Sequence, residues 1–213
     1  MIEPNDVPYE SWSDANLPID ILLIIENDFG LSSCLSFLDQ PFKSDKKKVG
    51  HVYFGRIGNG SVEEKLKVAL VKCSKIAASP EGSLTVAMEA VEILQPEAVF
   101  FVGTCIGLSS KKVSLGDVVI PSRLTAAVGS KVLASPCLGD LARDVTSKWV
   151  APLQNPDALE VKVHCGGSIL KQSLTVDCTY DDLRKLYPDA IAVETESEGI
   201  DVLIVIELTI KPI

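Results

Sequence analysis

The chain has 213 residues, 46% hydrophobic and 23% charged, which suits one domain with a full core and excludes a generally disordered chain. Its 20 Lys and Arg against 29 Asp and Glu leave a net charge of −9, and the pI is near 4.8. That balance argues against a nucleic-acid coat or an anionic-membrane binder, both of which need a cationic surface. The longest apolar runs, such as Ile21–Ile25 and Ala98–Val102, fall far short of the ~20 residues that span a bilayer. Met1-Ile-Glu-Pro-Asn-Asp6 is acidic and lacks an apolar core, so no secretory leader is expected and the reading is a soluble, cytoplasmic protein.

In chain order, residues 1–18 are polar and acidic and carry Pro4, Pro8 and Pro18, which reads as a loose N-terminal arm. Asp20-Ile-Leu-Leu-Ile-Ile-Glu26 is a buried-strand run. A short helix is expected over 31–38, stopped by Asp39-Gln40-Pro41, and Lys43-Ser-Asp-Lys-Lys-Lys48 reads as a solvated basic loop. Val52-Tyr53-Phe54 and Leu66 to Cys73 read as a hairpin-like strand pair, with Gly58-Asn59-Gly60-Ser61 between them in turn composition. Ser79-Pro80-Glu81 gives an N-cap, an N1 proline and a first-turn acid. Leu84, Ala87, Met88, Val91 and Leu94 then recur on one helical face, and Pro96 ends the helix. Ala98-Val-Phe-Phe-Val102 is the next strand, Gly103 to Gly107 a glycine-bearing loop, and Leu115 to Ile120 a further strand ended by Pro121. Later elements are a helix over 137–146, a strand over 160–165 before Gly166-Gly167, a helix over 181–187 and a strand over 190–193. Strand, helix and strand alternate without a linker or repeat. The expected fold is therefore α/β, a single domain (19–213) with a mixed, largely parallel sheet flanked by helices.

The six cysteines are scattered without a Cys-x-x-Cys pair, as buried reduced thiols are. Neither His51 nor His164 has a partner at zinc-ligand spacing, so no metal site is expected; His164 reads as a strand residue. No Gly-x-Ser-x-Gly elbow supports a serine hydrolase. Two features remain. Gly103-Thr104-Cys105 follows a buried strand, where open α/β sheets gather ligands. Its small residues let backbone N–H groups approach an anion or a ribose; a plain tight turn is the alternative. Val193-Glu194-Thr195-Glu196 sets two carboxylates at a strand end. They either bind something or are solvated first-turn acids.

Three segments in order carry a more specific signal. They are Val99-Phe-Phe-Val-Gly-Thr-Cys-Ile-Gly107, Val113-Ser-Leu-Gly-Asp-Val-Val-Ile120 and Tyr187-Pro-Asp-Ala-Ile-Ala-Val-Glu-Thr-Glu-Ser197. Together they resemble the nucleoside phosphorylase/nucleosidase superfamily, and within it the methylthioadenosine/S-adenosylhomocysteine nucleosidase-like branch, over residues 20–200. The resemblance implies cleavage of the N-glycosidic bond of a purine nucleoside or nucleotide, through an oxocarbenium-like sugar. By position Glu196 bridges the ribose hydroxyls, with Glu194 and Thr195 beside it; Thr195 stands where a Met usually packs under the sugar. Thr104, next to Gly103, matches the Ser/Thr of the nucleophile pocket. Asp28 matches the acid that activates water in hydrolytic members. Leu170 falls where an aromatic residue often stacks on the base. The resemblance implies no cofactor, and homo-oligomers as in relatives.

Charge separates hydrolysis from phosphorolysis. A phosphate nucleophile needs cationic donors, usually arginines. Phosphorolytic relatives carry one where this chain has Phe101, and residues 29–40 contain no basic residue, Arg56 being the nearest candidate. Water is the expected nucleophile rather than phosphate. The lysines at 46–48 could serve a phosphorylated substrate. The family continues after Glu-x-Glu with a helix, a strand and a Ser-Asp pair whose aspartate protonates the leaving purine. Here Val202 to Ile210 is β-branched and no Ser-Asp follows, so a C-terminally truncated domain with impaired turnover is expected. The second reading is a regulatory module that binds a nucleoside or nucleotide without cleaving it.

Overall fold

The computed structural model describes residues 2–73, 83–108, 113–114, 116–126, 131–133, 144, 161–171, 179–194 and 202–208. Its contacts divide into two compact units, one built mainly from residues up to Gly103 and the other running from Thr104 to Glu207.

The first unit is organised by β1 (Ile21–Ile25), five apolar residues in succession. Such a run has no solvent face, and β1 is flanked on both edges, by β4 (Leu66–Lys72) and by the first half of β5 (Ala98–Gly107), both parallel to it. Strands β2 (Asp39–Lys46) and β3 (Gly50–Ile57) extend the sheet antiparallel, in the order β2-β3-β4-β1-β5. Alternation along β1 feeds two cores. Leu22 and Ile24 pack with Ala87, Ala90 and Leu94 of α2 (Ser83–Leu94). Ile25, with Ile21 and Leu23, packs with Leu31 and Leu35 of α1 (Asp28–Leu35). One helix therefore lies against each face.

Several expectations are corrected here. Helix α1 begins three residues early because Asn27, in extended conformation, caps it: its Oδ1 accepts the Gly30 N–H at 2.8 Å. The helix ends at Leu35, and the expected stop at 39–41 is instead the start of β2, which carries Lys43 to Lys46 in a strand rather than a loop. Pro41 is tolerated because β2 is an edge strand and the register shifts between Asp39 and Phe42. On α2, Met88 is 66% exposed and the buried face is Val86, Ala87, Ala90 and Leu94; the face lies on the small residues. The N-terminal arm is not loose. Val7 and Ala15 are buried, Tyr9 bridges Lys43, and Trp12, in a short 3-10 helix (Trp12–Ala15), packs edge-on against Phe54. The arm has apolar residues to bury, and the β2 edge offers them a place. The hairpin β3–β4 is as expected, and Gly58 and Gly60 take positive φ in its turn.

In the second unit the last residues of β5 pair antiparallel with β11 (Ala190–Glu194): Ile106 with Val193 and Gly107 with Ala192. The stretch expected as a loop at 103–107 is thus strand, because those backbone groups have a ladder to join. Parallel to β11 runs β10 (Ser168–Lys171), then β7 (Arg123–Ala126), with β8 (Lys131–Leu133) antiparallel beyond. A further set places β6 (Val118–Ile120) between β9 (Val163–Cys165) and β12 (Val202–Leu208), all parallel. Helix α3 (Tyr180–Leu186) is capped by Thr179, whose Oγ1 accepts the Asp182 N–H while Asp182 reaches back to the Thr179 N–H. The helix expected over 137–146 falls almost wholly outside the described residues. The architecture is a mixed α/β fold. Among the described residues no helix is long and apolar enough to cross a membrane.

Candidate functional site

Parallel strands present their carboxyl ends on one edge, and in the first unit those of β4 and β1 lie beside the middle of β5. Ile25 is in register with both Lys72 and Val102. Just beyond, the Glu26 N–H donates to Val102 O and the Cys73 N–H to Ile25 O at 2.9 Å, holding the three strands together. Here the fold brings Gly103 and Asp28 to one rim. Gly103 lies close to Glu26: a Cβ there would stand 3.0 Å from Glu26 Oε2, the far end of a side chain that can shift. Asp28, first residue of α1, has a side chain 75% exposed, and Lys72 Nζ donates to its Oδ1 at 2.6 Å.

Asp28 also lines a cleft of about 620 Å³ with Lys72, His51, Tyr53 and the arm residues Glu3 to Asn5. Burial pushes the Tyr53 phenol above its ordinary value, and the charges of Asp28 and Asp45 push it the same way. The rim is acid-rich. Arg56 does not belong to it: it is in register with Lys67, near the opposite end of β4 from Lys72, and its guanidinium donates to Val62 O. A separation of five strand residues is about 16 Å.

Thr104, Leu170 and Glu194 lie in the second unit. Thr104 precedes Cys105, which is 1% exposed; its thiol is pushed up to about 12, first by burial and then by the Glu194 carboxylate. On the paired strands β10 and β11, Lys171 is in register with Glu194, and Lys171 Nζ comes to 3.8 Å from Glu194 Oε1. Leu170 is 2% exposed, packed with Leu108, Leu183, Ala190 and Val193. As placed it offers no face to a ring. Glu196 and Thr195 lie outside the described residues.

Three residues were not singled out from sequence. Glu26 follows β1 and Lys72 ends β4, and a charge at a strand end ordinarily reads as solvated; only the fold reveals that Lys72 meets Asp28 and that Glu26 lies against Gly103. Asp117, within the Leu-Gly-Asp-Val-Val segment, is 2% exposed and accepts the backbone N–H groups of Ser114 (2.8 Å) and Lys162 (2.9 Å), with His164 Nε2 at 2.7 Å. Burial pushes its carboxyl up, but those hydrogen bonds and the His164 contact outweigh burial and hold it below the ordinary value. This aspartate ties β6 to β9. Among the described residues no group of three or more His, Cys, Asp or Glu side chains could hold a metal ion.

Comparison with known proteins agrees with this architecture. The family model of the phosphorylase superfamily matches residues 21–173. A death domain-containing ATP nucleosidase of Amphimedon queenslandica is 27% identical over 223 residues, which is 88% of this chain and 40% of that protein. The chain thus spans well under half the length of that relative. Among solved structures, a 5′-methylthioadenosine/S-adenosylhomocysteine nucleosidase from Colwellia psychrerythraea 34H in complex with adenine superposes with a TM-score of 0.62 at 14% identity, covering 89% of this chain and 81% of its own. A futalosine hydrolase of Helicobacter pylori strain 26695 gives 0.59 at 13% identity, over 90% and 89%. Purine nucleoside phosphorylase from Toxoplasma gondii in complex with immucillin-H gives 0.58 at 11%, over 96% and 82%. With well over half of its residues matched by one family model, the chain belongs to the phosphorylase superfamily.

Proposed function

We propose that the chain cleaves the N-glycosidic bond of a purine nucleoside or nucleotide, with water rather than phosphate as nucleophile. The observation that carries the choice of nucleophile is the rim where β4 and β1 end beside the middle of β5, whose two carboxylates, Glu26 and Asp28, outnumber its one ammonium, that of Lys72. Glu26 lies against Gly103 and Asp28 stands beside it, while Arg56 is near the other end of the sheet. Carboxylates repel a phosphate dianion and accept a proton from water. In this reading Asp28 is the base and Glu196 holds the ribose hydroxyls against the developing positive charge. Gly103 and Thr104 border the nucleophile, and Glu194 and Thr195 flank the sugar; Leu170, enclosed in its own core cluster, takes no part in holding the base. The similarity to proteins described as ATP, methylthioadenosine/S-adenosylhomocysteine and futalosine nucleosidases or hydrolases supports purine nucleosides or nucleotides as the substrate class.

The second reading, a binding module without turnover, is favoured by one contact. The 2.6 Å bond from Lys72 Nζ occupies Asp28 Oδ1, an oxygen that a water-activating base would turn toward its water. Product analysis separates the readings. With adenosine and ATP as substrates, hydrolysis releases adenine and a free sugar product at a rate independent of added phosphate. Phosphorolysis gives a sugar 1-phosphate and a rate that rises with phosphate, which would overturn the choice of water. Asp28→Asn lowers the hydrolytic rate by about 10²–10⁴-fold if Asp28 is the base. A raised melting temperature with ligand but no adenine release supports the binding module.

A further inference from the structure

The cleft at Asp28 has a wall made by the N-terminal arm. Residues Glu3 to Asp6 form a turn closed by the Asp6 N–H to Glu3 O bond at 3.0 Å. Glu3, Pro4 and Asn5 face Asp28, Lys72, Tyr53 and His51 across about 620 Å³, within the range of small-molecule pockets. The turn is pinned from both sides. Ahead of it, the Ile2 N–H donates to Ser36 Oγ (3.0 Å), whose own hydroxyl donates to Ser32 O on α1, the helix that starts with Asp28. Behind it, Val7 is 3% exposed in the core of Leu31, Leu35 and Tyr53. The Lys43 N–H donates to Pro8 O (2.8 Å), and the Glu10 N–H to Lys43 O (2.9 Å). The Lys43 side chain then reaches the turn itself: Nζ donates to Pro4 O at 3.1 Å and to Asn5 O at 3.4 Å.

We propose that the Glu3–Asn5 turn, held by Lys43, is a wall of the substrate site and limits the size of the group that the nucleoside's sugar carries beside Asp28. The proposal rests on the N-glycosidic reading of that site. A wall fixed at both ends and bonded through its own carbonyls cannot retreat without losing the Lys43 bonds, so the cleft discriminates by volume. The rest of the lining includes Lys72, Tyr53 and His51 beside Leu31 and Val49, and the polar three suit a hydroxylated or charged substituent. Lys43 acts through the turn and is a positioning residue.

The test uses Lys43→Met and, separately, replacement of Glu3, Pro4 and Asn5 by glycine. The substrates are adenosine and 5′-benzylthioadenosine, and adenine release is followed. The expected result in both variants is a KM for adenosine raised about fivefold or more with kcat within about twofold, the pattern of lost uniform binding. Preference for adenosine over the bulky compound, as a ratio of kcat/KM, falls by about fivefold or more. A purely structural arm lowers the melting temperature and leaves KM and the preference unchanged, which overturns the proposal. If the unaltered protein cleaves neither compound, the N-glycosidic reading falls, and hydrogen exchange over residues 3–10 decides the wall by itself. Slower exchange in the presence of adenosine supports it, and unchanged exchange at saturating adenosine overturns it.

Discussion

At the scale of single residues, Asp117 shows how a buried charge is kept. Its carboxylate meets two backbone N–H groups and His164, and its carboxyl lies below the ordinary value of 3.8. With the folded value below the unfolded one, its stabilising contribution is complete above the unfolded value and is lost as the pH falls through the folded one. Asp117→Asn, which keeps one acceptor oxygen but turns an N–H toward existing donors, costs about 2–3 kcal/mol in denaturant unfolding at pH 7. Its melting temperature also falls less than that of the unaltered protein as the pH is lowered below about 4. Equal acid sensitivity would contradict that role. Cys73 and Cys105 make a second case, both buried and both pushed up to about 12. Almost no thiolate exists at pH 8. Iodoacetamide added to the folded protein at that pH leaves both unlabelled by peptide mass spectrometry, and denaturant exposes them; labelling of Cys105 in the native protein would show that its surroundings are open.

Elements were legible in the sequence where a local signal and the tertiary environment agree. The apolar run of β1 gives its own burial, the glycines at 58 and 60 give the hairpin turn, and the strand over 190–193 lies within β11. They were illegible where a partner decides. Pro41 and the lysines from Lys43 read as a stop and a loop, yet an edge position beside β3 accommodates them as strand. Gly103 to Gly107 reads as a turn, yet β11 offers a ladder. On α2 the periodicity admits two neighbouring faces, and packing against β1 selects Ala87 and Ala90, leaving Met88 outside. Met88→Ala therefore changes unfolding free energy by less than about 0.5 kcal/mol, whereas Leu94→Ala costs about 2–5 kcal/mol. Asn27→Ala removes the α1 cap and costs about 1 kcal/mol. It also loosens the helix start that places Asp28, so a larger KM or lower kcat accompanies the loss of stability.

For the whole molecule, the first two of the three ordered motifs lie within the residues that the family model matches, and the family carries the expected chemistry. The residues that the fold adds to Asp28 come from other places in the chain: Lys72 from β4, Glu26 against Gly103, and the arm turn held by Lys43. None of these has a sequence pattern of its own, because each depends on strand order β2-β3-β4-β1-β5. The acidic arm, which composition suggests is loose, becomes part of the first unit through Val7, Ala15 and Trp12 and through the bonds made by Lys43. The activity proposed for this chain is cleavage of an N-glycosidic bond with Glu196 on the sugar. Its most direct measurement is adenine release from adenosine and ATP by the unaltered protein and by Glu196→Gln, with circular dichroism to confirm that both are folded. The account predicts release by the first and a loss of about 10²-fold or more in the second; equal release by both, or none from either substrate, would contradict it.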